Sequence, residues 1–225
     1  MKKLLLIGAR GIAKRVLDAL EMDEMYSEIA LLDGYADYDH LYSYQIIGKS
    51  DDLEDYRSQF SHALVCIADT RTRMHYIERV IEAGYEVPNV IHKRAYVSKS
   101  VKMGIGVIIN AMAAVQADSK LGNGCVIETG AVVEHDNVLD DCVTIAPNAS
   151  TMGFVKIGSK TFVGGAACVI NTVCIGENVL VGAGSVVMSD VPDGVMVAGC
   201  PAEIKKPIED MKHAIWPGVY PEGRY

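Results

Sequence analysis

The chain has 225 residues, room for two domains or one domain and a solenoid, and half of it is apolar, enough to support a buried core. Its 29 acidic residues against 21 basic ones give a formal charge of -8, and no Lys/Arg cluster tracks a phosphate polymer, which argues against nucleic acid as a partner. The first apolar run, 4–7, is too short for the core of a secretory signal, no stretch approaches the roughly 18 unbroken apolar residues of a membrane span, and the six cysteines form no C-x-x-C pair; we expect a cytoplasmic protein without membrane insertion, disulfides or a bound metal.

In chain order, an apolar run over 3–7 ends at Gly8-Ala-Arg-Gly11 and is followed by an amphipathic stretch through Leu20, which reads as strand, tight glycine turn and helix. A second run, 28–32, ends in Asp33; a third, 63–68, ends in Asp69; residues 86–91 offer a fourth. Strands alternating with helices predict a small parallel sheet of Rossmann-like type over 1–92. A glycine turn at a helix start lets backbone N–H groups approach a phosphate, and an acidic residue some twenty positions later, here Asp33, can meet a ribose or a base. With Gly8 and Gly11 alone the dinucleotide fingerprint is incomplete, so NAD is not expected.

From Ala95 the chain repeats every six residues. An aliphatic residue or Met occupies each sixth position from Val97 and Met103 through Val133 and Ile145 to Val187, with Thr151 the one break, and a small or slender residue stands two places earlier, from Ala95 to Ser185. Two residues apart is one face of a strand. A helix, with its 3.6-residue period, cannot keep one face apolar at a spacing of six. Three such units make a triangular coil, so residues eighteen apart should stack at about 4.8 Å. The rhythm dissolves after Val187. A short helix is expected over about 207–214, and the aromatic tail with Trp216, Tyr220 and Tyr225 is expected to pack as an arm.

The repeat resembles the hexapeptide-repeat acyltransferases, and that resemblance implies a left-handed parallel β-helix over 93–206, with a C-terminal helix and tail over 207–225. Val197-Ala-Gly-Cys-Pro-Ala202 with Ile204-Lys-Lys206 is similar to that family's closing motif. A Rossmann-like domain in front of such a helix resembles the PglD/NeuD family of sugar acetyltransferases over nearly the whole chain. The resemblance implies an acetyl-CoA-dependent homotrimer acting on a nucleotide-linked 4-amino-4,6-dideoxysugar, each CoA groove shared by two subunits. It places Arg10, Gly11, Ile12, Asp33, Gly34 and Ala68 at the nucleotide sugar, and Thr144, Gly165 and Ala183 along the pantetheine arm. The turn departs from the family's usual Gly-Gly-His at Arg10-Gly-Ile12, Gly34 stands for a second acidic residue, and Thr144 stands where relatives often carry His.

Val132-Val-Glu-His-Asp136 resembles the family's catalytic stretch, which makes His135 the general base. A sugar amine attacks only through its free lone pair and must shed a proton, and a neutral imidazole of ordinary pKa about 6.5 suits that task. Asp136 would orient the ring, with Glu134 a second candidate, and Glu128, where relatives often have Asn, would touch substrate. Gly153, eighteen residues after His135, would aim its N–H at the thioester oxygen, and the break at Thr151 is expected to reshape the chain there. Two rival readings remain: a sialic-acid-type sugar O-acetyltransferase using the same His, and a non-catalytic nucleotide-sugar scaffold.

Overall fold

The computed structural model describes residues 2–21 and 25–210. Its front part is a five-stranded sheet in which β1 (Lys3–Ile7) lies centrally between β2 (Glu28–Leu32) and β5 (His62–Val65), all parallel. A hairpin of β3 (His40–Leu41) and β4 (Tyr44–Gly48), not foreseen from the sequence, adds β4 in parallel to β2. Helices α1 (Gly11–Leu20) and α2 (Thr70–Glu82) follow β1 and β5. Leu4 and Leu6 face α1, and Leu5 and Ile7 pack toward Ile77 and Val80 of α2, the alternation a two-sided sheet requires.

The fourth predicted strand needs correction. Only Glu86 bridges to the sheet, at His62, while Val90–Ile91 pairs with Ile108–Ile109 of the following domain. Pro88 has no N–H to continue the ladder, and Asn89 caps it by accepting from the Val107 N–H and donating to the Gly104 carbonyl.

Beyond it the chain winds into three parallel faces of two-residue strands, each paired with the strand eighteen residues on. The first face runs from Tyr96–Val97 through Val132–Val133 and Ser150–Thr151 to Val186–Val187; the second includes Val138–Leu139 and Lys156–Ile157; the third includes Val126–Ile127 and Thr144–Ile145. The aliphatic column points inward, with Val115, Val133 and Val169 wholly buried in one continuous core. The fold is thus a Rossmann-like sheet followed by a left-handed β-helix.

Two expectations for this half are corrected. Thr151 does not reshape the wall: it pairs in register with Val133 and Val169 and is fully buried, because threonine has the shape of valine. Its hydroxyl has no partner. At the C-terminal end Val195–Gly199 joins the third face and folds back antiparallel onto Ala202–Pro207, after which Ile208–Asp210 is a single 3-10 turn, so no α-helix begins at 207. The rest of the expected helix and the aromatic tail lie outside the described residues.

The two halves are welded along the third face. Its outward residues Ile108, Val126 and Thr144 are buried, the first two under α1 and the third under α2. Arg73 of α2, 1 % exposed, donates to the carbonyls of Ile67, Ala68 and Cys142 and to the Thr144 hydroxyl at 2.6 Å. A buried guanidinium among neutral acceptors satisfies four oxygens at once, and without it those oxygens would be stranded. We expect Arg73→Met to cost about 2–3 kcal/mol, the scale of one hydrogen bond to a charged group left unmade, read as a lower urea midpoint.

Candidate active site

His135 lies on the corner that follows the first face. Four successive turns of that corner each have one residue in the left-handed region, at Asp118, Asp136, Phe154 and Thr172, with φ near 60°. That bend swings the Asp136 carboxylate beside the ring of its chain neighbour instead of onto the opposite side of a strand. His135 Nδ1 lies 2.9 Å from Asp136 Oδ2, as the sequence reading required, and the ring is half exposed. Glu134 sits one residue earlier and makes no side-chain contact with the ring, while its carbonyl accepts from the Ser119 hydroxyl.

One coil on stands Gly153. A methyl group there would lie 2.7 Å from His135 Cε1 and 2.8 Å from Nε2, so only glycine lets the imidazole rest against the backbone. The neighbouring N–H groups are used, Met152 toward Val169 and Phe154 toward His135, whereas the Gly153 N–H meets no acceptor among the described residues. Phe154, which sequence reasoning missed, sets its ring edge-on to His135 at 5.3 Å and 89°. Its position, eighteen after the acidic partner Asp136, was the available signal.

In the front sheet the turn, the loop after β2 and the loop after β5 meet at the C-terminal strand ends, bringing Arg10, Gly11, Asp33, Gly34 and Ala68 to one edge. A side chain at Gly11 or Gly34 would meet little, so the backbone is approachable there, whereas Gly8 (φ +101°) must be glycine because a methyl would lie 2.9 Å from the Cys66 carbonyl oxygen. Asp33 is occupied, accepting from the Ala9 and Tyr35 N–H groups at 2.8 Å each. Ile12 is 4 % exposed and packs into the core beneath α1, leaving its backbone rather than its side chain at the turn.

Arg15, also missed, links the two halves. Its Nη1 reaches over Gly11, and its Nη2 donates to Glu128 Oε1 at 2.6 Å. Asn110 donates to Oε2 at 2.8 Å. Glu128 is therefore not an open carboxylate: it is 7 % exposed with both oxygens engaged, and burial raises its pKa against the opposing pull of Arg15. Glu128 and His135 border the same first-face strand, Val132–Val133, one on each side.

The residues expected along the pantetheine arm lie on and beside the third face. Thr144 is 3 % exposed with its hydroxyl committed to Arg73, so it does not line a groove. Gly165 and Ala183 stack on the corner after the third face, away from the His135 corner. No helix among the described residues is long and apolar enough to cross a membrane.

A family model described as the PglD N-terminal domain matches residues 3–80. Among solved structures, the acetyltransferase domain of PglB from Neisseria gonorrhoeae in complex with acetyl coenzyme A is 35 % identical with a TM-score of 0.86, over 91 % of this chain and 99 % of that one. PerB from Caulobacter crescentus, in complex with CoA and GDP-perosamine, is 36 % identical with a TM-score of 0.86, over 91 % and 98 %. Curated relatives match over shorter stretches. A 2,3,4,5-tetrahydropyridine-2,6-dicarboxylate N-acetyltransferase of Clostridium perfringens is 38 % identical over 76 residues, 30 % of this chain and 32 % of that protein. A putative acetyltransferase of Saccharomyces cerevisiae is 39 % identical over 56 residues, 25 % and 29 %. The chain thus spans less than a third of the length of these two curated relatives.

Two measurements follow from this geometry. Gly153→Ala should keep the fold and lower turnover by about 10²-fold, because it displaces the imidazole by an ångström or so; steady-state kinetics with a melting curve read both. Arg15→Ala should destabilise the protein more than Arg15→Ala combined with Glu128→Gln, since the single change strands a buried carboxylate. Because the pKa of Glu128 is raised, its share of the stability is complete below the ordinary carboxylate range and is lost as pH climbs through the folded value. Glu128→Gln should remove that decline from a plot of Tm against pH.

Proposed function

The chain belongs to the PglD-like family of nucleotide-sugar N-acetyltransferases, and from that premise we propose that it moves the acetyl group of acetyl-CoA to the amine of a nucleotide-linked 4-amino-4,6-dideoxysugar, with His135 as general base. The observation that carries this reading is His135, oriented by Asp136 and resting on Gly153. With Nδ1–H donated to Asp136, Nε2 keeps its lone pair for the attacking amine. The amine nitrogen bonds to the thioester carbonyl carbon, the carbonyl oxygen takes up the negative charge, and the Gly153 N–H steadies it. Nε2 accepts the proton that the nitrogen sheds. Collapse then breaks the carbon–sulfur bond, and the imidazolium returns its proton to the departing CoA thiolate.

The nucleotide end is assigned to the front sheet, where Arg10, Gly11, the Ile12 backbone, Gly34 and Ala68 border open space, with Asp33 bracing the turn. Arg15 and Glu128 stand between that edge and the His135 corner, along the path a nucleotide sugar would take. The pantetheine arm is assigned to a groove between neighbouring copies of a homotrimer, because Gly165 and Ala183 occupy a different corner from His135 and a second copy would bring the two corners together. A cytoplasmic site of action accords with the supply of CoA and nucleotide sugars.

CoA release measured with UDP-, dTDP- and GDP-linked 4-amino sugars tests the reaction. Turnover with one of them, lowered about 10²- to 10⁴-fold in His135→Ala, is the expected result. Near-normal turnover of that variant removes His135 from the role, and acetylation of a hydroxylated analogue in preference to the amine overturns the substrate class.

A further inference from the structure

Five side chains of the slender column carry a polar or sulfur group, and four of them donate to a carbonyl fifteen residues on, while Ser185 accepts from the Gly199 N–H. Ser119 donates to the carbonyl of Glu134 at 2.8 Å, Cys125 to that of Asp140 at 3.1 Å and Thr161 to that of Gly176 at 2.8 Å, each fifteen residues on. Asn137 does this too, donating to the Met152 carbonyl at 2.9 Å. Its amide differs from the others in having a second N–H, and this reaches the Glu134 carbonyl at 2.5 Å, with the His135 carbonyl at 3.3 Å. One wholly buried side chain therefore holds the backbone on both sides of the proposed catalytic contact.

The peptide that accepts from Asn137 at Met152 is the one whose N–H belongs to Gly153. A peptide unit is planar, so fixing the direction of its carbonyl fixes the direction of its N–H. A hydrogen bond to the carbonyl also polarises the amide and strengthens the N–H as a donor. No backbone N–H among the described residues reaches the Met152 carbonyl, which leaves Asn137 as the group that orients it.

Packing does not explain an asparagine here. Its Oδ1 is buried without a partner, a local cost that an apolar side chain would avoid. Val155 and Val173 fill the same column one and two coils on, so the prism accommodates valine at this level. An unpaired polar atom kept inside the prism next to the proposed catalytic corner fits a functional constraint.

We propose that Asn137 is a positioning residue for acetyl transfer: its amide locks the Glu134–His135 and Met152–Gly153 peptides together, which aims the Gly153 N–H at the developing oxyanion beside the His135 ring. This rests on the assignment of His135 and Gly153 given above. The residue itself touches neither substrate.

The test compares Asn137→Val with Asn137→Thr in the full chain, with His135→Ala as reference. Valine fills the column and donates nothing; threonine has the same shape and can donate to the Met152 carbonyl as Thr161 does to Gly176. Asn137→Val should lower kcat by about 10- to 100-fold with KM for acetyl-CoA and for the nucleotide sugar little changed. Its Tm should fall only by what the unmade bonds to the Met152 and Glu134 carbonyls cost, leaving the protein folded at the assay temperature, and its pH–rate profile should keep its shape because the His135–Asp136 pair is intact. Asn137→Thr should recover a large part of kcat. The proposal is overturned if Asn137→Val turns over within about threefold of the parent, if its loss lies in KM or is accounted for by unfolded protein at the assay temperature, or if Asn137→Thr is no better than Asn137→Val. A normal rate in His135→Ala would instead overturn the corner itself, so the two failures are told apart.

Discussion

Everything in the second half of this protein depends on stacking one backbone directly over another at intervals of eighteen residues. Each two-residue strand is too short to persist alone, and its hydrogen bonds are made only with the coils above and below. The inward aliphatic column supplies the burial that offsets the ordering of so much chain, and it also sets the register. Once register is fixed, distant residues meet without any local propensity for the contact. His135 rests on Gly153, and Asn137 reaches Met152, because the wall leaves them nowhere else to be.

That dependence explains which parts were legible in the sequence. A six-residue rhythm is long-range order written locally, so the prism, the pairing of Val133 with Thr151 and the meeting of His135 with Gly153 could be read before any coordinates. Asp136 came with the resemblance of 132–136 to a catalytic stretch, and the corner is what lets its carboxylate reach the ring. The front domain carries no comparable repeat, and its errors were those of local reading: 86–91 has strand composition, yet Pro88 breaks the ladder and Val90 finds a better partner in the next domain. Arg15 and Arg73 were missed, and the partners of Thr144 and Glu128 were not foreseen, for one shared reason. Their roles arise where the two halves touch, and no periodicity in either half describes that surface.

The junction between the two halves uses two arginines in different ways. Arg73 meets neutral acceptors in full burial, while Arg15 meets a buried carboxylate from a half-exposed position. The first acts as a multidentate plug for carbonyls; the second partly offsets the burial that pushes Glu128 toward its protonated form. Together with the apolar contacts of α1 on Val90, Ile108 and Val126, they leave little freedom for the front sheet to rock against the prism.

The left-handed corners carry a consequence for how such a chain can change in length. Every turn of the His135 corner reuses the same backbone bend at the same phase, from Asp118 to Thr172. Adding or deleting one residue, unless it bulges out as a loop, would turn inside out every side chain that follows. Six residues would preserve inside and outside but carry the imidazole to another vertex of the triangle. Only a whole circuit conserves both, so viable descendants of this scaffold should grow or shrink in quanta, like floors added to a tower whose stairwell must stay aligned.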